Sequence, residues 1–519
     1  MNGQEITYSV EKSRSGQDTM RVSAGGREIY LHSRVNPERE SELLAGRFDP
    51  GRWDVLIVLG CGLGYHLAPL GEMIDRFRDV FVIDVLPGIE DVIRGNGPAS
   101  FLAASPKVTI LAGKSPAEIA DFLNVRIDMD RIKGISVLEH PASVRAFGEY
   151  YDGVRSAVDR VIQVKAGNRA TREAFGARYV ANILRNVPLL EGARSVSGLF
   201  GAFRGHPVVL AVSGPSLDAD MGLMKREQRR FFIVAVDSAL PALLGSGIAP
   251  DLVISVDPQP YVREHFIGCD TGGAPVVCSI SSHPSVMALR HRFVSLSTHP
   301  FAQLADEVYG GAIGTVDSAT GSVAGDAIRL CHACGFSGIG VTGLDFSFSG
   351  YAIYARGTAY QKRYALFFQD RFTTVEGLNC RYIFSNSGGL RSGNKYTRRS
   401  FLHYRQTLGE WIKNSGMTVN LLNDRGLAPA GSGTLEFESF IRKFCAGEIP
   451  KERMISEAEA STPTIDPGPL ATALAGIRHE KLFDELLEAS LGGRAGEREK
   501  RRFSKLIGPM RGSNRSPGL

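Results

Sequence analysis

Residues 206–220, HPVVLAVSGPSLDAD, and 231–260, FFIVAVDSALPALLGSGIAPDLVISVDPQP, decide the fold. The runs Val208 to Val212 and Phe231 to Val236 are unbroken apolar segments of strand length, and Leu252 to Val256 is apolar but for Ser255. Helical or turn segments separate them, the pattern of strands buried on both faces of a parallel sheet. Each run ends in polar residues. Ser213, Gly214, Pro215 and Ser216 follow the first, Asp237 and Ser238 the second, and Asp257 the third. The carboxyl ends of strands are where open α/β sheets bind ligands. Free amides in the first turn, with the Ser216 hydroxyl, suit phosphate or sugar oxygens at the start of a helix opening at Leu217. Asp237 and Asp257 suit ribose or base groups. Ser216, Asp218 and Ser238 singly also fit helix caps, but three successive strand ends fit a ligand edge better.

Further strands are expected at Val276 to Ile280, Phe293 to Leu296 and Gly338 to Thr342, with a helical segment Ser322 to Cys334. Residues 345–400 have weak periodicity and many Gly, Tyr and Arg, and read as an active-site excursion. A helix (Ser400 to Asn414), a strand (Thr418 to Leu422) and a helix (Thr434 to Cys445) follow, then a linker, Glu457 to Pro469. Upstream, apolar runs Val55 to Leu59, Val80 to Val85, Val108 to Leu111 and Ile135 to Leu138 alternate with helical periods such as Leu67 to Phe77 and Pro116 to Leu123. The expected class is α/β, with two doubly wound Rossmann-like domains joined by helix. The boundaries are a β-rich lead-in (1–50), an N-terminal Rossmann-like domain (51–165), a helical connector (166–205), a central ligand-binding domain (206–425) and a helical C-terminal region with a basic tail (426–519).

At 519 residues the chain has material for several cores at ~150 residues per domain. With 43% hydrophobic and 22% charged residues it has the balance of a globular protein. No apolar run approaches the ~18 residues of a membrane helix, and the first residues lack the apolar stretch of a signal peptide, so a cytoplasmic location is expected. Seven scattered cysteines argue against a disulfide framework. The net charge of +5 is uneven: residues 494–517 and 345–404 each carry +6 locally. Neither concentration alone makes the basic face of a nucleic-acid-binding domain, so no nucleic acid is expected as a partner.

Other motifs carry chemistry. LIVLGCGLGYHL places Gly60, Gly62 and Gly64 between a strand and a helix, with Asp84 ending the next strand. This arrangement resembles motif I of S-adenosylmethionine methyltransferases; a vestigial Rossmann-like domain would keep the same turn for packing. The pairs Asp128/Asp130 and Asp218/Asp220 have metal-binding spacing, but neither has a further acid or histidine beside it, so no metal is expected. Cys331 and Cys334 form a C-x-x-C without a second pair. SSHP and STHP set His283 and His299 after apolar runs; these and Asp345 are the candidate bases for removing an acceptor proton. Seven of the 15 tyrosines lie between residues 345 and 404 (Tyr351, Tyr354, Tyr360, Tyr364, Tyr382, Tyr396 and Tyr404). With nine nearby basic residues they suit phosphate, a sugar carboxylate or an acceptor protein.

The runs SGPSLDAD, AVDSALPALLGSGIAPDLVISVDPQP and TGSVAGDAIRLCHACGFSGIGVTGLDFSFSG together resemble the central domain of the motility-associated factor (Maf) flagellin glycosyltransferases. That domain is shared with MptE-like pterin diphosphokinases. The resemblance spans residues 206 to 425, and LHSRVNPERESELL with the Gly60 turn agrees with the family's N-terminal domain. It implies transfer of a nonulosonic acid, pseudaminic or legionaminic in type, from its CMP-activated form to Ser or Thr of flagellin, with no tightly bound cofactor. It adds Thr320, Gly321, Ser322 and Tyr354 to the nucleotide-sugar contacts. Where the family has His-Ala before Gly-Thr, this chain has Tyr354, Ala355, Arg356, Gly357 and Thr358, so no role of that histidine carries over. The alternatives are a methyltransferase, an ATP-dependent pterin diphosphokinase and a non-enzymatic flagellin-binding protein.

Overall fold

The computed structural model describes the chain except residues 1–5, 25, 46–47, 50, 52, 97, 101–104, 128–131, 319, 368–373, 494 and 508–519, and the side chains of 24, 44–45, 70, 72, 96, 163–173 and 364–367. It divides into two compact units, Met1–Ala174 and Phe175–Leu519. Among the described residues no helix is long and apolar enough to cross a membrane.

The first unit begins with an antiparallel sheet of β1 (Thr7–Lys12), β2 (Asp18–Ala24) and β3 (Arg27–Tyr30). A parallel sheet follows, built from β4 (Val55–Leu59), β5 (Asp79–Asp84), β6 (Val108–Ala112) and β7 (Ile135–Glu139) in the order β6-β5-β4-β7. Every residue of β4 is buried, as a central strand covered on both faces requires. The helical period from Leu67 is a 3-10 helix, Tyr65–Arg76, with Pro69 inside it. Proline supplies no amide hydrogen, so an ordinary α-helix cannot run through that position undisturbed.

The second unit is organised by one nine-stranded parallel sheet. Its strands are β8 (Arg194–Ser195), β9 (Pro207–Ala211), β10 (Phe232–Val236), β11 (Leu252–Ser255), β12 (Val276–Ser279), β13 (Arg292–Ser295) and β14 (Gly338–Thr342). After a separate short hairpin of β15 (Arg391–Ser392) and β16 (Lys395–Tyr396), β17 (Val419–Leu421) and β18 (Gly433–Thr434) complete it. The order is β18-β17-β14-β9-β10-β11-β12-β13-β8. From β9 the chain winds outward through β10 to β13, then returns to the other side of β9 as β14. The topological switch therefore lies between β9 and β14.

Alternate residues serve two cores. Leu252, Ile254, Val277 and Phe293 pack on one face with Leu217, Ile328 and Phe440. Val253, Val276, Cys278 and Val294 pack on the other with Leu184, Phe301, Leu474 and Phe503. The glycines of β14 have a packing reason. A Cβ at Gly338 would lie 2.7 Å from the Phe444 ring, and one at Gly340 would lie 3.1 Å from Phe440, so their absence admits the helix Phe437–Phe444 onto the sheet.

Residues 345–400 hold two helices, Ala359–Phe367 and Val375–Ser387, besides the hairpin, so the excursion is more ordered than its periodicity implies. β8 falls in the segment expected to be connector, and β18 in the region expected to be helical. The helix Gly148–Asn186 ends in the second unit. Phe232 is fully buried, its ring centroid 4.7 Å from that of Phe203 and 5.3 Å from that of Phe336. Phe232→Ala should cost about 3–5 kcal/mol through lost burial and the cavity left behind. Denaturant unfolding checks this, and a loss below about 1 kcal/mol would contradict the packing account.

Candidate functional site at the carboxyl edge of the central sheet

Where β9 and β14 end, their turns lock together. The Gly214 amide donates to the Gly343 carbonyl (2.9 Å), the Ser216 amide to Asp345 Oδ2 (2.8 Å), and the Gly343 amide to Ser216 Oγ (3.2 Å). There is no room for a side chain at the crossing. A Cβ on Gly214 would lie 2.4 Å from the Gly343 carbonyl, and Gly343 has φ +75°. Ser216 and Asp345, expected to face ligand, are engaged with each other. Asp345 is 4% exposed, and its Oδ1 has no hydrogen bond among the described residues. Burial raises its pKa, opposed by the Ser216 hydrogen bonds and the Lys395 charge, with Asp220 adding to the rise. In this arrangement Asp345 braces the turn. Asp220 similarly accepts from Thr342 and from Asn423 Nδ2, while Asp218 accepts the Arg356 amide (2.9 Å). Both carboxylates of that pair are thus taken up by protein donors; Asp128 and Asp130 lie outside the described residues. Ser213 Oγ accepts from Ser238 Oγ (2.9 Å), and the Ser213 carbonyl accepts the Ala355 amide, tying the excursion to this edge.

The ends of β10 and β11 hold a different group. Asp237, 3% exposed, accepts from the Ser238 amide on Oδ1 and from Ser255 Oγ on Oδ2, each at 2.6 Å. His265 Nδ1 stands 3.4 Å from the same Oδ1. Burial pushes the His265 imidazole down, but the adjacent Asp237 carboxylate outweighs it, with Asp257 and Glu264 assisting, so its pKa is raised; the 3.4 Å contact is an ion-pair approach without hydrogen-bond geometry. Asp257 accepts the Gln259 amide (2.8 Å); burial raises its pKa, with that bond, His265 and Arg178 opposing and Asp237 reinforcing. The Tyr354 hydroxyl shares this region: burial raises its pKa, Arg398 opposes, and Tyr382, Asp237 and Asp257 add to the rise. The residue is 39% exposed, with its ring 4.9 Å from that of Tyr360. Asp237, Asp257 and Tyr354 are therefore brought together, and His265, which the sequence reading missed, joins them.

His283 and His299 have a shared structural role. His283 Nδ1 accepts the Ser285 amide and caps Pro284–Met287; His299 Nδ1 accepts the Phe301 amide and caps Pro300–Val308. The SSHP and STHP duplicates are thus two strand-to-helix turns, each with proline in the first helical turn. Ser322 Oγ accepts the Gly325 amide and caps Val323–Ala333, and Thr320 Oγ1 lies 2.7 Å from Ser318 Oγ. Gly321 lies against Tyr404, whose ring a Cβ there would meet at 3.2 Å. Cys331 in that helix and Cys334 just past its end are buried, and burial raises both thiols. Tyr382 accepts from Arg398 Nη1 (3.0 Å), the Tyr351 and Tyr396 ring centroids are 6.0 Å apart, and the Tyr364 side chain lies outside the described residues.

The glycine turn of the first unit is filled by its own protein. Asp84 Oδ2 accepts from the Cys61 amide (2.7 Å), the Cys61 thiol (3.1 Å) and the Gly62 amide (3.3 Å), and Oδ1 accepts from the Leu86 amide (2.9 Å). A Cβ at Gly62 would lie 2.4 Å from His32 Nε2, which itself accepts the Leu63 amide (2.7 Å). Both Asp84 carboxylate oxygens are thus engaged by donors of the chain itself. Surface hollows of about 520 and 530 Å³ lie elsewhere, on the helix Glu497–Ile507 and beside Phe200 and Phe336.

Residues 181–350 match the family described as 6-hydroxymethylpterin diphosphokinase MptE-like. Among solved structures, the chain resembles a Maf glycosyltransferase from Magnetospirillum magneticum AMB-1, with a TM-score of 0.61 and 14% identity over 97% of this chain and 90% of that one. The chain thus has a Maf-type fold with an MptE-like domain at its centre. Two uncharacterised proteins of Treponema pallidum (strain Nichols) are 27% identical over 221 residues and 34% identical over 191. These matches cover 41% and 36% of this chain and only 38% and 39% of the relatives' own lengths.

Asp326 lies beneath the Ser318 to Ser322 turn, its Oδ1 accepting from the Ser318 amide and hydroxyl, each at 2.7 Å. Burial pushes it up to about 7, with Ser318 opposing and Asp317 adding to the rise. The unfolded chain releases this proton near pH ~4. The stability it contributes is therefore complete below about pH 4 and is lost as pH rises through about 7. Asp326→Asn keeps an acceptor for Ser318 and cannot ionise. The variant's Tm should rise relative to the parent's between pH 4 and 7 and the difference should level off above; a pH-independent difference would rule this out.

Proposed function

We propose that the protein is a glycosyltransferase that moves a nonulosonic acid of pseudaminic or legionaminic type from its CMP-activated form to a Ser or Thr hydroxyl of flagellin. The observation that carries this reading is the pairing of His265 with buried Asp237 beside Asp257, at the carboxyl edge of a Maf-type central sheet. His265 Nδ1 lies 3.4 Å from Asp237 Oδ1 without forming a hydrogen bond, and Nε2 makes none among the described residues. An acceptor hydroxyl placed at Nε2 gives its proton to the imidazole as its oxygen bonds to the anomeric carbon. The bond from that carbon to the phosphate oxygen breaks, and CMP leaves with the electron pair. Asp237 holds the tautomer and stabilises the imidazolium that forms, while Asp257 and Tyr354 would contact the nucleotide or sugar. Fixed cations and amides would meet the leaving charge, without a metal.

The MptE-like match supports a second reading, an ATP-dependent pterin diphosphokinase. Ligand-induced stabilisation separates the readings. CMP or CDP should raise Tm for the transferase, ATP for the kinase and S-adenosylhomocysteine for a methyltransferase; a flagellin-binding protein without enzymatic activity should respond to none. A response to ATP alone would refute the transferase proposal.

The histidine assignment has its own test. His265→Gln should lower transfer to co-expressed flagellin by ~100-fold or more while leaving CMP affinity nearly unchanged. Asp237 raises the His265 pKa, and burial alone lowers it. A base must be deprotonated, so Asp237→Asn should move the acid limb of the kcat/KM profile to lower pH, with a lower plateau. Full activity in His265→Gln, or an unmoved limb in Asp237→Asn, would remove His265 from the mechanism.

A further inference from the structure

Beside the His265 group, the ends of β11 and β12 gather cations for which the reaction above assigns no individual task. The last turns of the helix Gly148–Asn186 are fastened along this edge by two amides. Asn182 Nδ2 donates to the carbonyls of Pro258 (2.9 Å) and Ser281 (3.1 Å), and Asn186 Nδ2 to those of Ile280 and Ser282, both at 2.8 Å. Arg178 precedes Asn182 by one turn and Arg185 follows it by nearly one, so both lie on the face the asparagines fasten. Pro258 leads into the 3-10 helix Pro260–His265, and Ser282 immediately precedes His283. The asparagines therefore hold both neighbouring segments against the arginine-bearing turns.

The 3-10 helix determines where Arg263 points. Successive residues in such a helix are about 120° apart. Glu264 is committed to Arg363, whose Nε lies 2.6 Å from its Oε2, and His265 to Asp237. Arg263 takes the third direction, with its Nε donating to the Pro260 carbonyl (3.2 Å). Burial lowers the His283 pKa, and Arg263, Arg185 and Arg178, in that order, lower it further, so all three cations act on one imidazole. Among the described residues, none of the three has a carboxylate within 4.0 Å; Arg178 instead lies over the Phe175 ring at 5.6 Å. Asp257 is the carboxylate on which Arg178 acts at longer range. Arg185 and Arg263 are exposed and Arg178 is half-buried, so the three cations lie open to a ligand, and an oxyanion with several lone pairs relieves the repulsion among them through charge-assisted hydrogen bonds.

We propose that Arg178, Arg185 and Arg263, set around His283, form an oxyanion subsite. Its ligand is the phosphate of an activated nucleotide or the carboxylate of an acidic sugar, the two anionic groups that a CMP-nonulosonic acid would present. The choice between these sources rests on the transferase reading; the subsite itself does not. Guanidinium forks match both groups in a bidentate geometry that lysine cannot reproduce.

The test is equilibrium binding to the full chain of inorganic pyrophosphate, CMP, cytidine and free N-acetylneuraminic acid. It is repeated with Arg178→Gln, Arg185→Gln and Arg263→Gln, with Arg498→Gln as a distant control. Each of the three should weaken pyrophosphate binding ~10-fold or more and flatten its salt dependence, with Tm unchanged. Arg498→Gln should bind as the parent does. Loss of CMP affinity with sugar-acid affinity preserved identifies the phosphate as the occupant, and the reverse identifies the carboxylate. Arginine-dependent pyrophosphate binding in a protein that binds neither CMP nor the sugar acid would uphold the subsite and defeat the transferase reading. Pyrophosphate binding that is absent, or unaffected by all three substitutions, would overturn the subsite.

Discussion

The close contact between the turns that end β9 and β14 is the constraint on which the second unit depends. The two strands pair in parallel from Gly338 opposite Pro207 to Thr342 opposite Ala211, and beyond that register the turns must share one small space. Gly214 and Gly343 meet backbone to backbone, and Asp345 accepts the Ser216 amide beneath them. Leu427 donates to the Asp345 carbonyl, and Gly426 lies so close that a Cβ would come within 2.5 Å of the Asp345 Cα. Any side chain larger than hydrogen at the crossing would push the strands apart and move every loop on the carboxyl edge. A buried carboxylate is an expensive brace: here Oδ2 accepts the Ser216 amide, while Oδ1 has no hydrogen bond among the described residues.

The two glycine turns use the same device to different ends. In the first unit Asp84 accepts from the amides of its own turn, and His32 packs against Gly62. In the second unit the brace lies at the switch point, while the neighbouring ends of β10 and β11 hold Asp237, His265 and Asp257 together. An acidic group that tunes a histidine and a basic group around His283 then stand side by side. Such a division suits a substrate with hydroxyls at one end and an anion at the other.

Parallel strands buried on both faces were legible in the sequence because such strands are continuous apolar runs, as Val208 to Val212 and Gly338 to Thr342 illustrate. The short strands β8 and β18, two residues each, leave no periodic trace. The helices Ala359–Phe367 and Val375–Ser387 escaped notice because polar and apolar residues are spread round them without a stripe. Asp237 and Asp257 were legible as strand-end carboxylates, but His265 was not. Its role depends on Asp237 from a different strand end, and only a proton-bearing residue soon after Asp257 could have hinted at it. Arg178 and Arg185 were hidden in what reads as a connector helix. Conversely, His283 and His299 carried a sequence signal of strand, histidine and proline that the structure explains as helix capping.

If the reaction runs at the carboxyl edge of the second unit's sheet, that edge and not the glycine turn of the first unit binds the nucleotide. Amide hydrogen exchange of the full chain with and without saturating CMP tests this directly, because each turn reports through its own amides. Exchange should slow at residues 213–216, 237–238 and 257–265, with residues 60–64 unchanged. Protection at residues 60–64 with none at the carboxyl edge of the second unit would contradict it.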